Sequence, residues 1–315
     1  LAAAGEKGQL GYQPTHTFAD WPGGDAPLAA PTAAEQVDNL GLLGPRDHIP
    51  SRPIRNVVIF GAGGPLGAVT AQALASTYRL RLTDLRSLAE VAAEGKPQSQ
   101  GAPLPTVLPP PHETMAVDVT DAEQVRRACT GMDAIINCTV VRPDPVEAFR
   151  VNFLGAHNIQ RAAVAHSIRR IVQTGPLQVS NDTPAGYLWD FAVPDDAPAR
   201  PGAWLYAHTK YLGQEVVRLF AEAYDLEVPV LLFSQFVDPE TATPRIGGVH
   251  PMSISWEDAG LAMRRALETQ TLPSAYEVFH ILTDLPHGKY TNAKARRLLN
   301  WQPRDNLAHL WARRA

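Results

Sequence analysis

Two side chains four positions apart, Tyr206 and Lys210, have the most specific chemical use in this sequence. Residues at i and i+4 lie on the same face of a helix, so the phenol and the ammonium group face the same side. Because a nearby positive charge favours the phenolate, Tyr206 is a candidate acid/base for a substrate hydroxyl, with Lys210 as its electrostatic partner. A second pair with this spacing, Tyr290 and Lys294, lies near the end of the chain, and we expect Tyr290 to be a structural helix start.

The segment Gly61–Gly67, with the sequence GAGGPLG, is a candidate phosphate-binding loop. A tight glycine turn from a strand into a helix points backbone N–H groups and the positive end of the helix dipole at the pyrophosphate of a dinucleotide. In this interpretation Gly61 makes the turn, Gly64 lets the phosphate approach, and Gly67 lets the helix pack on the strand. Three glycines alone also fit an ordinary structural turn. The predicted cofactor-binding residues of the loop are Gly61, Gly64, Pro65, Leu66 and Gly67.

Carboxylates end the next two predicted strands. Asp84 lies about twenty residues past the loop, where a carboxylate accepts both ribose hydroxyls of adenosine and repels a 2'-phosphate. NAD is therefore favoured over NADP, although the nearby Arg86 argues the other way. Asp118, followed by Val119, is predicted to contact the adenine end of the cofactor. Either aspartate is also a plausible N-terminal cap for the helix that follows it.

The alternation of short apolar runs with helical segments supplies the scaffold for these residues. Repeated β-α units of this size predict an α/β fold, a Rossmann-type doubly wound parallel sheet. The predicted strands are 57–60, 78–83, 115–118, 134–138, 170–174 and 229–233, and the predicted helices are 64–76, 85–94, 121–130, 145–166 and 203–224. We expect an irregular N-terminal arm at 1–53, an NAD-binding domain at 54–237 that includes the Tyr-Lys helix, and a small substrate lobe with C-terminal helices at 238–315.

Composition narrows the class of partner. The 315 residues carry a net charge of -4 without a long run of Lys or Arg, which argues against nucleic acid and anionic lipid. Apolar stretches such as Val228–Phe233 are far shorter than the roughly 20 residues of a membrane helix. Two cysteines are too few for a disulfide framework and indicate a reducing, cytoplasmic compartment. The ten histidines show no ligand spacing, so we expect no metal.

The start of the chain leaves two interpretations open. The first residue is Leu1 rather than Met, so the segment Leu1–Gly5 is either the remnant of a processed signal or an arbitrary starting point. We favour the second, because a signal would need sequence upstream of Leu1.

Taken together, these residues resemble an extended short-chain dehydrogenase/reductase of the NAD-dependent epimerase/dehydratase family, from about Ile54 onward. The glycine loop, Asp84 and the Tyr-Lys pair carry the resemblance, together with the segments 117–121, 133–137, 151–158 and 298–303. It implies NAD as cofactor, Asn152 as a residue supporting the active site, and a homodimer formed through the helices at 145–166 and 203–224. Asn152 is alternatively a polar residue that ties a helix to a strand, and the apolar residues of those helices alternatively face only their own sheet.

Within this family the chain most resembles the uronate dehydrogenases, which oxidise hexuronic acids with NAD. The segments 79–84, 198–201, 255–258 and 301–305 carry this likeness, which implies a sugar or sugar acid as substrate. Two positions depart from the pattern. Pro176 stands where the family has a serine that holds the reacting hydroxyl, and Phe233 stands where uronate dehydrogenases have an arginine for the sugar carboxylate. Thr174 or Ser180 is the candidate replacement for the serine.

Two functions follow from this pattern. The first is an NAD-dependent oxidoreductase or epimerase that acts on a sugar hydroxyl, with catalytic residues Tyr206, Lys210, Asn152 and Thr174. Tyr206 and Lys210 are also expected to contact the cofactor. The second is a catalytically weak NAD-binding protein with a sensing or assembly role, which the missing serine favours.

Overall fold

The computed structural model describes residues 49–95, 101–179, 190–202, 204–242, 249–286 and 288–310. The fold below belongs to the unit formed by residues 45–315. Most of the predicted N-terminal arm, 1–53, and the candidate Ser180 lie outside the described residues.

Seven parallel strands form the main sheet, which confirms the predicted fold class. In chain order the strands are β1 (Asn56–Phe60), β2 (Arg79–Asp84), β3 (Glu113–Ala116), β4 (Ala134–Asn137), β5 (Arg170–Pro176), β6 (Val228–Phe233), β7 (Gln235–Val237), β8 (Ser253–Ser255) and β9 (Tyr276–His280). The main sheet has the order β3-β2-β1-β4-β5-β6-β9, while β7 and β8 pair separately. Every residue of β4, β5 and β6 is buried, as expected for parallel strands covered on both faces.

The helices begin and end close to the predicted limits, with corrections at their caps. They are α1 (Pro65–Leu74), α2 (Leu88–Ala93), α3 (Ala122–Cys129), α4 (Pro145–Phe149), α5 (Ala156–Ala165), α6 (Leu205–Tyr224), α7 (Trp256–Glu268) and α8 (Ala293–Leu299). Ser87 caps α2 and Asp121 caps α3 through their side chains. Asp84 and Asp118 are therefore not the caps of these helices, and α2 begins later than predicted.

The long helix predicted at 145–166 is interrupted by a π-helical segment, Arg150–Gly155, between α4 and α5. At two positions in or against this segment, a glycine lets the backbone approach a neighbouring residue closely. A Cβ atom on Gly155 would lie 2.8 Å from Val119 Cγ2, and one on Gly213 of α6 would lie 2.1 Å from the carbonyl oxygen of Asn152. Segments of this kind are frequent at functional sites.

The chain after Val237 contributes to the core of the main sheet, although its sequence does not continue the alternation of strands and helices. Strand β9 extends the sheet beside β6, and Phe279 packs in the same cluster as the core of β1. Helix α7 crosses α1 closely, since a Cβ atom on Gly260 would lie 2.9 Å from the carbonyl oxygen of Val69. A smaller cluster is formed by Val237, Val249, Leu307 and Leu310. No helix in the described ranges is long and apolar enough to cross a membrane.

Candidate active site

The glycine loop leaves β1 at the C-terminal edge of the sheet and enters α1 with a strained turn. Gly61 has φ of +80°, and a Cβ atom there would lie 2.9 Å from the backbone carbonyl carbon of Cys138. At Gly67 a Cβ atom would lie only 2.3 Å from the carbonyl oxygen of Gly61. Gly64 is the N-cap of α1 and offers no side chain to its first turn. The N-terminal N–H groups of α1 are thus left for another acceptor, as a phosphate-binding loop requires.

Asp84 is held directly against this loop. Its Oδ2 accepts a hydrogen bond from the backbone N–H of Gly63 at 2.9 Å, and its Oδ1 accepts one from Leu85 at 2.8 Å. Sequence reasoning missed Gly63, where a Cβ atom would lie 2.7 Å from Asp84 Oδ2. The pair of consecutive glycines at 63 and 64 is the signal that could have indicated it.

Asp118 and Val119 follow β3, the neighbour of β2, but β3 ends at Ala116 rather than at the predicted Asp118. Asp118 Oδ1 accepts from the backbone N–H of Thr120 at 2.8 Å, which fixes the turn after the strand. Val119 is buried, and its carbonyl oxygen accepts from Asn158 Nδ2 at 3.0 Å. Both residues therefore lie on the same edge of the sheet as Asp84, in a rigid turn.

A cleft of about 360 Å³ lies where the C-terminal ends of β1, β4, β5 and β6 meet. Its wall contains Gly64–Gly67 of the loop and Tyr206, Lys210 and Thr174 of the predicted catalytic set. The rest of the wall is formed by Cys138, Val140, Arg142, Gly175, Pro176, Trp204, Phe233, Ser234, Phe236 and Trp256. Ligand sites of doubly wound sheets occupy this position.

Lys210 is buried beneath the cleft and is held by the segment after β4. Its Nζ donates to the carbonyl oxygen of Thr139 at 3.2 Å, and the residue is 4% exposed. Burial lowers the pKa of Lys210 to about 8, and the positive charge of Arg142 adds to this shift. The ammonium group is consequently much easier to deprotonate than that of an exposed lysine.

The cation that lies over the ring of Tyr206 is Arg142, which the sequence analysis missed. The Arg142 guanidinium carbon lies 5.0 Å from the ring centroid. Burial raises the pKa of Tyr206, and the positive charge of Arg142 opposes that shift. Arg142 thus has the electrostatic effect on Tyr206 that the sequence analysis expected of Lys210. Nothing in the local spacing around Arg142 indicates this, because it follows β4, far from Tyr206 in sequence.

Asn152 lies in the π-helical segment and holds the loop after β4. Its Oδ1 accepts from the N–H of Val141 at 3.0 Å, and its Nδ2 donates to the carbonyl oxygen of Val141 at 2.7 Å and to Thr209 Oγ1 at 3.0 Å. The side chain is buried, so these bonds use both ends of its amide. This geometry fits the alternative in which Asn152 ties structural elements together.

The two departures from the family pattern are neighbours in the sheet. Pro176 and Phe233 are paired in the register of β5 and β6, and both line the cleft. Phe233 belongs to a group of three aromatic side chains. The ring centroid of Phe236 lies 5.4 Å from that of Phe233 and 4.3 Å from that of Trp256, on which it stacks. Thr174, on the same strand as Pro176, donates its hydroxyl to the carbonyl oxygen of Asn137 at 2.8 Å.

The second Tyr-Lys pair is separated from the cleft. Tyr290 precedes α8, which begins at Ala293, so Tyr290 is not the first residue of that helix. It forms a bridge with Val193, while Lys294 makes an ion pair with Glu277 at 2.6 Å. These contacts are structural and leave Tyr206 as the tyrosine of the cleft.

Both cysteines are free thiols. Burial raises the pKa of Cys129 and of Cys138 to about 12. Within the described ranges no group of three His, Cys, Asp or Glu side chains could hold a metal ion.

Comparison with protein families matches residues 57–255 to the NAD dependent epimerase/dehydratase family. The chain is 25% identical over 275 residues to L-arabinose 1-dehydrogenase (NAD(P)(+)) of Haloferax volcanii, which covers 80% of this chain and 97% of that protein. It is 24% identical over 263 residues to the NAD-dependent glucose-6-phosphate dehydrogenase of the same organism, covering 80% of this chain and 94% of the relative.

Among solved structures, uronate dehydrogenase from Agrobacterium tumefaciens is similar with a TM-score of 0.62 and 23% identity. The superposition covers 80% of this chain and 85% of that one. This similarity shows a shared fold.

Proposed function

Because the chain belongs to the NAD-dependent epimerase/dehydratase family, we propose that it oxidises a hydroxyl group of a sugar or sugar acid, with Tyr206 as the acid/base. The observation that carries this proposal is the single cleft that Tyr206 and Lys210 share with the N-terminus of α1 and its glycine loop. A cofactor-binding loop and a proton-transfer pair in one cleft are what a dehydrogenase needs.

The cofactor is NAD, and the residues present fit it. The close contacts at Gly61 and Gly67 form a cradle in which the N–H groups of α1 can donate hydrogen bonds to a pyrophosphate. Asp84 already accepts from the loop backbone and retains oxygen lone pairs for the ribose hydroxyls. Bound NAD supplies the hydride acceptor of the reaction.

The proton of the substrate hydroxyl is the part of the chemistry that this chain handles. Tyr206 accepts it, and the positive charge of Arg142 favours the phenolate on which that acceptance depends. Lys210, on the same face of α6 and lining the same cleft, is proposed to add to this effect. Thr174 is proposed to orient the substrate hydroxyl, because its oxygen can still accept a hydrogen bond while donating to Asn137. Asn152 supports the site from behind by fixing the loop after β4.

The proposed substrate class is supported by the named activities of two relatives and by the wall of the cleft. Those relatives are named for arabinose and for glucose 6-phosphate. The aromatic group of Phe233, Phe236 and Trp256 gives the cleft an apolar side opposite its polar groups, an arrangement common in small-molecule sites.

A second candidate is a catalytically weak NAD-binding protein. It is favoured by Pro176 and Phe233, which together remove a hydroxyl and a cation from adjacent strands of the cleft. Both candidates require NAD binding, so only turnover separates them.

The homodimer proposed from the family resemblance is supported by exposed apolar side chains on α4, the π-helical segment and α6. These are Val146, Phe149, Phe153, Leu212 and Leu219. Exposed apolar side chains on neighbouring helical elements are compatible with a protein interface. Sedimentation of the wild type and of Phe149→Asp would test it, with a dimer expected only for the wild type.

The free cysteines fit a cytoplasmic compartment.

The test of the function is a substrate panel. Purified protein is incubated with NAD and with neutral aldoses, uronic acids and sugar phosphates, and NADH absorbance is recorded. We expect turnover of at least one member. No turnover on the whole panel, with NAD still bound tightly in calorimetry, would support the second candidate instead.

A further inference from the structure

We infer that Arg142 binds the negatively charged group of the substrate, a carboxylate or a phosphate, and so makes anionic sugars the preferred substrates of the cleft. This inference rests on the function proposed above and adds the substrate class and the residue that selects it.

The charge balance of the cleft is the first support. Its described wall contains two cationic side chains, Arg142 and Lys210, and neither an aspartate nor a glutamate. No carboxylate among the described residues lies within 4.0 Å of the Arg142 guanidinium. Arg150, which follows nearby in the sequence, is by contrast paired with Glu147 at 3.0 Å. The Arg142 guanidinium hydrogen-bonds the Tyr206 side chain, and because a guanidinium carries several N–H donors, others are left for a ligand.

The two cations of the cleft are not equivalent. Lys210 is buried, donates to Thr139 and has a pKa lowered to about 8, so it is poorly suited to a second anionic partner. Arg142 is exposed and lines the cleft. A guanidinium stays charged at every relevant pH and matches the two oxygens of a carboxylate or phosphate in a bidentate pair. Arg142 is therefore the residue fitted to a substrate anion.

Position relative to the reacting group is the second support. The guanidinium lies over the ring of Tyr206, so an anion held there places the remainder of the same sugar beside the acid/base. Phe233 and Pro176 line the same cleft and offer neither a charge nor a hydroxyl. Uronate dehydrogenases have an arginine for the sugar carboxylate at the position of Phe233. In this chain Arg142, in the loop after β4, takes that role.

The backbone that carries Arg142 is held rigidly. Asn152 binds both the N–H and the carbonyl oxygen of Val141, the preceding residue, and Asn152 is itself held by Thr209 of α6. Binding residues are most effective when their supporting bonds fix them before the ligand arrives. The π-helical segment therefore acts as the support of the proposed anion-binding arginine.

The experiment compares Arg142→Gln with the wild type on glucuronate, glucose 6-phosphate and glucose. Arg150→Gln is the matched control, because it removes an exposed arginine outside the cleft. For the preferred anionic sugar, we expect Arg142→Gln to raise KM by about tenfold to a hundredfold, as for a lost hydrogen bond to a charged group. Because Arg142 also opposes the raised pKa of Tyr206, kcat should fall to a similar extent on all three sugars, whereas the KM for glucose and the NAD affinity by calorimetry should stay near wild type. The anionic sugar whose KM rises more in Arg142→Gln, glucuronate or glucose 6-phosphate, identifies the anion that Arg142 binds.

Three results would overturn the inference. A loss confined to kcat, or a KM that rises equally for charged and neutral sugars, would leave Arg142 as a positioning residue for Tyr206 alone. Weaker NAD binding in Arg142→Gln would assign it to the cofactor. Preference of the wild type for glucose over both anionic sugars would remove the need for an anion site.

Failure of the proposed function gives a different result. If no sugar is oxidised, calorimetry of glucuronate and glucose 6-phosphate with the NADH-loaded protein still tests Arg142. Binding by the wild type and by Arg150→Gln, lost in Arg142→Gln, would support the inference without turnover. Absence of binding by the wild type would contradict it.

Discussion

The two ends of the parallel sheet each carry a cavity lined by cationic side chains, but they balance those charges differently. The cavity at the N-terminal ends of the strands is the larger, about 630 Å³ against about 360 Å³ for the cleft. Its arginines meet carboxylates. Arg170 pairs with Glu227 at 2.5 Å, and Arg52 pairs with Asp133 at 3.4 Å.

At the C-terminal ends of the strands, the described wall of the cleft holds Arg142 and Lys210 without any carboxylate. Charge balance, rather than volume, therefore distinguishes the end of the sheet that carries the proposed site. Paired charges connect structural elements, as Glu227 connects β5 to the chain before β6. Cations without acidic partners remain available to the anionic groups of ligands.

The largest effect on the structural end is expected for Glu227→Ala. Arg170 is 5% exposed, and removal of its partner leaves a buried guanidinium without a counter-charge. We expect the free energy of unfolding to fall by about 3–5 kcal/mol. Chemical denaturation measures this change, and NAD affinity of the folded protein should be unaffected.

The matched control is Glu222→Ala, which breaks an exposed ion pair with Arg218 on α6. Its cost should stay within about 1 kcal/mol. Equal costs for the two variants would show that the charges at the N-terminal end are not structural.

At the functional end, Gly67→Ala should weaken NAD binding by about tenfold to a hundredfold, because the added Cβ atom displaces the loop at a cost of about 1–3 kcal/mol. The nearest atom to that Cβ would be the Gly61 carbonyl oxygen at 2.3 Å. Gly260→Ala disturbs the opposite contact of α1, with Val69, and should lower stability while NAD affinity is kept. Calorimetry and denaturation of both variants separate these outcomes, and similar NAD affinity in the two would argue against the loop.

Asp84→Asn should have a smaller effect on the cofactor. The amide still accepts from Gly63 but loses the charge that favours ribose hydroxyls and repels a 2'-phosphate. We expect NAD affinity to fall by about tenfold and the preference over NADP to narrow. Asp121→Asn, at a helix cap, should leave both unchanged. An unaltered NADP discrimination in Asp84→Asn would contradict the role of this carboxylate.

A further expected effect is a change of stability with pH that belongs to Lys210. Its pKa is lowered to about 8 from 10.5, so the folded protein binds this proton more weakly than the unfolded chain. The contribution of Lys210 to stability is therefore least favourable below pH 8 and improves as pH rises toward 10.5. Relative to Lys210→Met, the wild type should gain free energy of unfolding over that range. A difference that is constant with pH would show that the ammonium group is not desolvated.

Much of the scaffold could be predicted because its signals are local. The β-branched run of β1 and the glycines after it indicate a buried parallel strand and a phosphate loop without any tertiary information. The first residues of α2 and α3 are harder to predict, because Ser87 and Asp121 compete as N-terminal caps with the nearby Asp84 and Asp118. Only the folded backbone decides between them.

The rest depends on contacts between distant segments. Arg142 approaches Tyr206 only after β4 and α6 are side by side, and Asn152 reveals its role only through its bonds to Val141. The sequence does not indicate β9, because only its last two residues, Phe279 and His280, are buried and its first three are half buried. The strand therefore lacks the continuous apolar run that marks β4 to β6. Sequence reasoning identified Tyr206 from its spacing to Lys210, but the electrostatics of the phenol involve a third residue.

The most direct measurement is the rate of NADH formation by the wild type and by Tyr206→Phe on the same sugar, with NAD affinity measured for both. Loss of the phenol hydroxyl should lower kcat by about 10²–10⁴-fold, as for removal of a general acid/base. NAD affinity should stay close to wild type, because most of the proposed cofactor contacts are made by the glycine loop and Asp84. Equal kcat in the two proteins would contradict the assignment of the cleft.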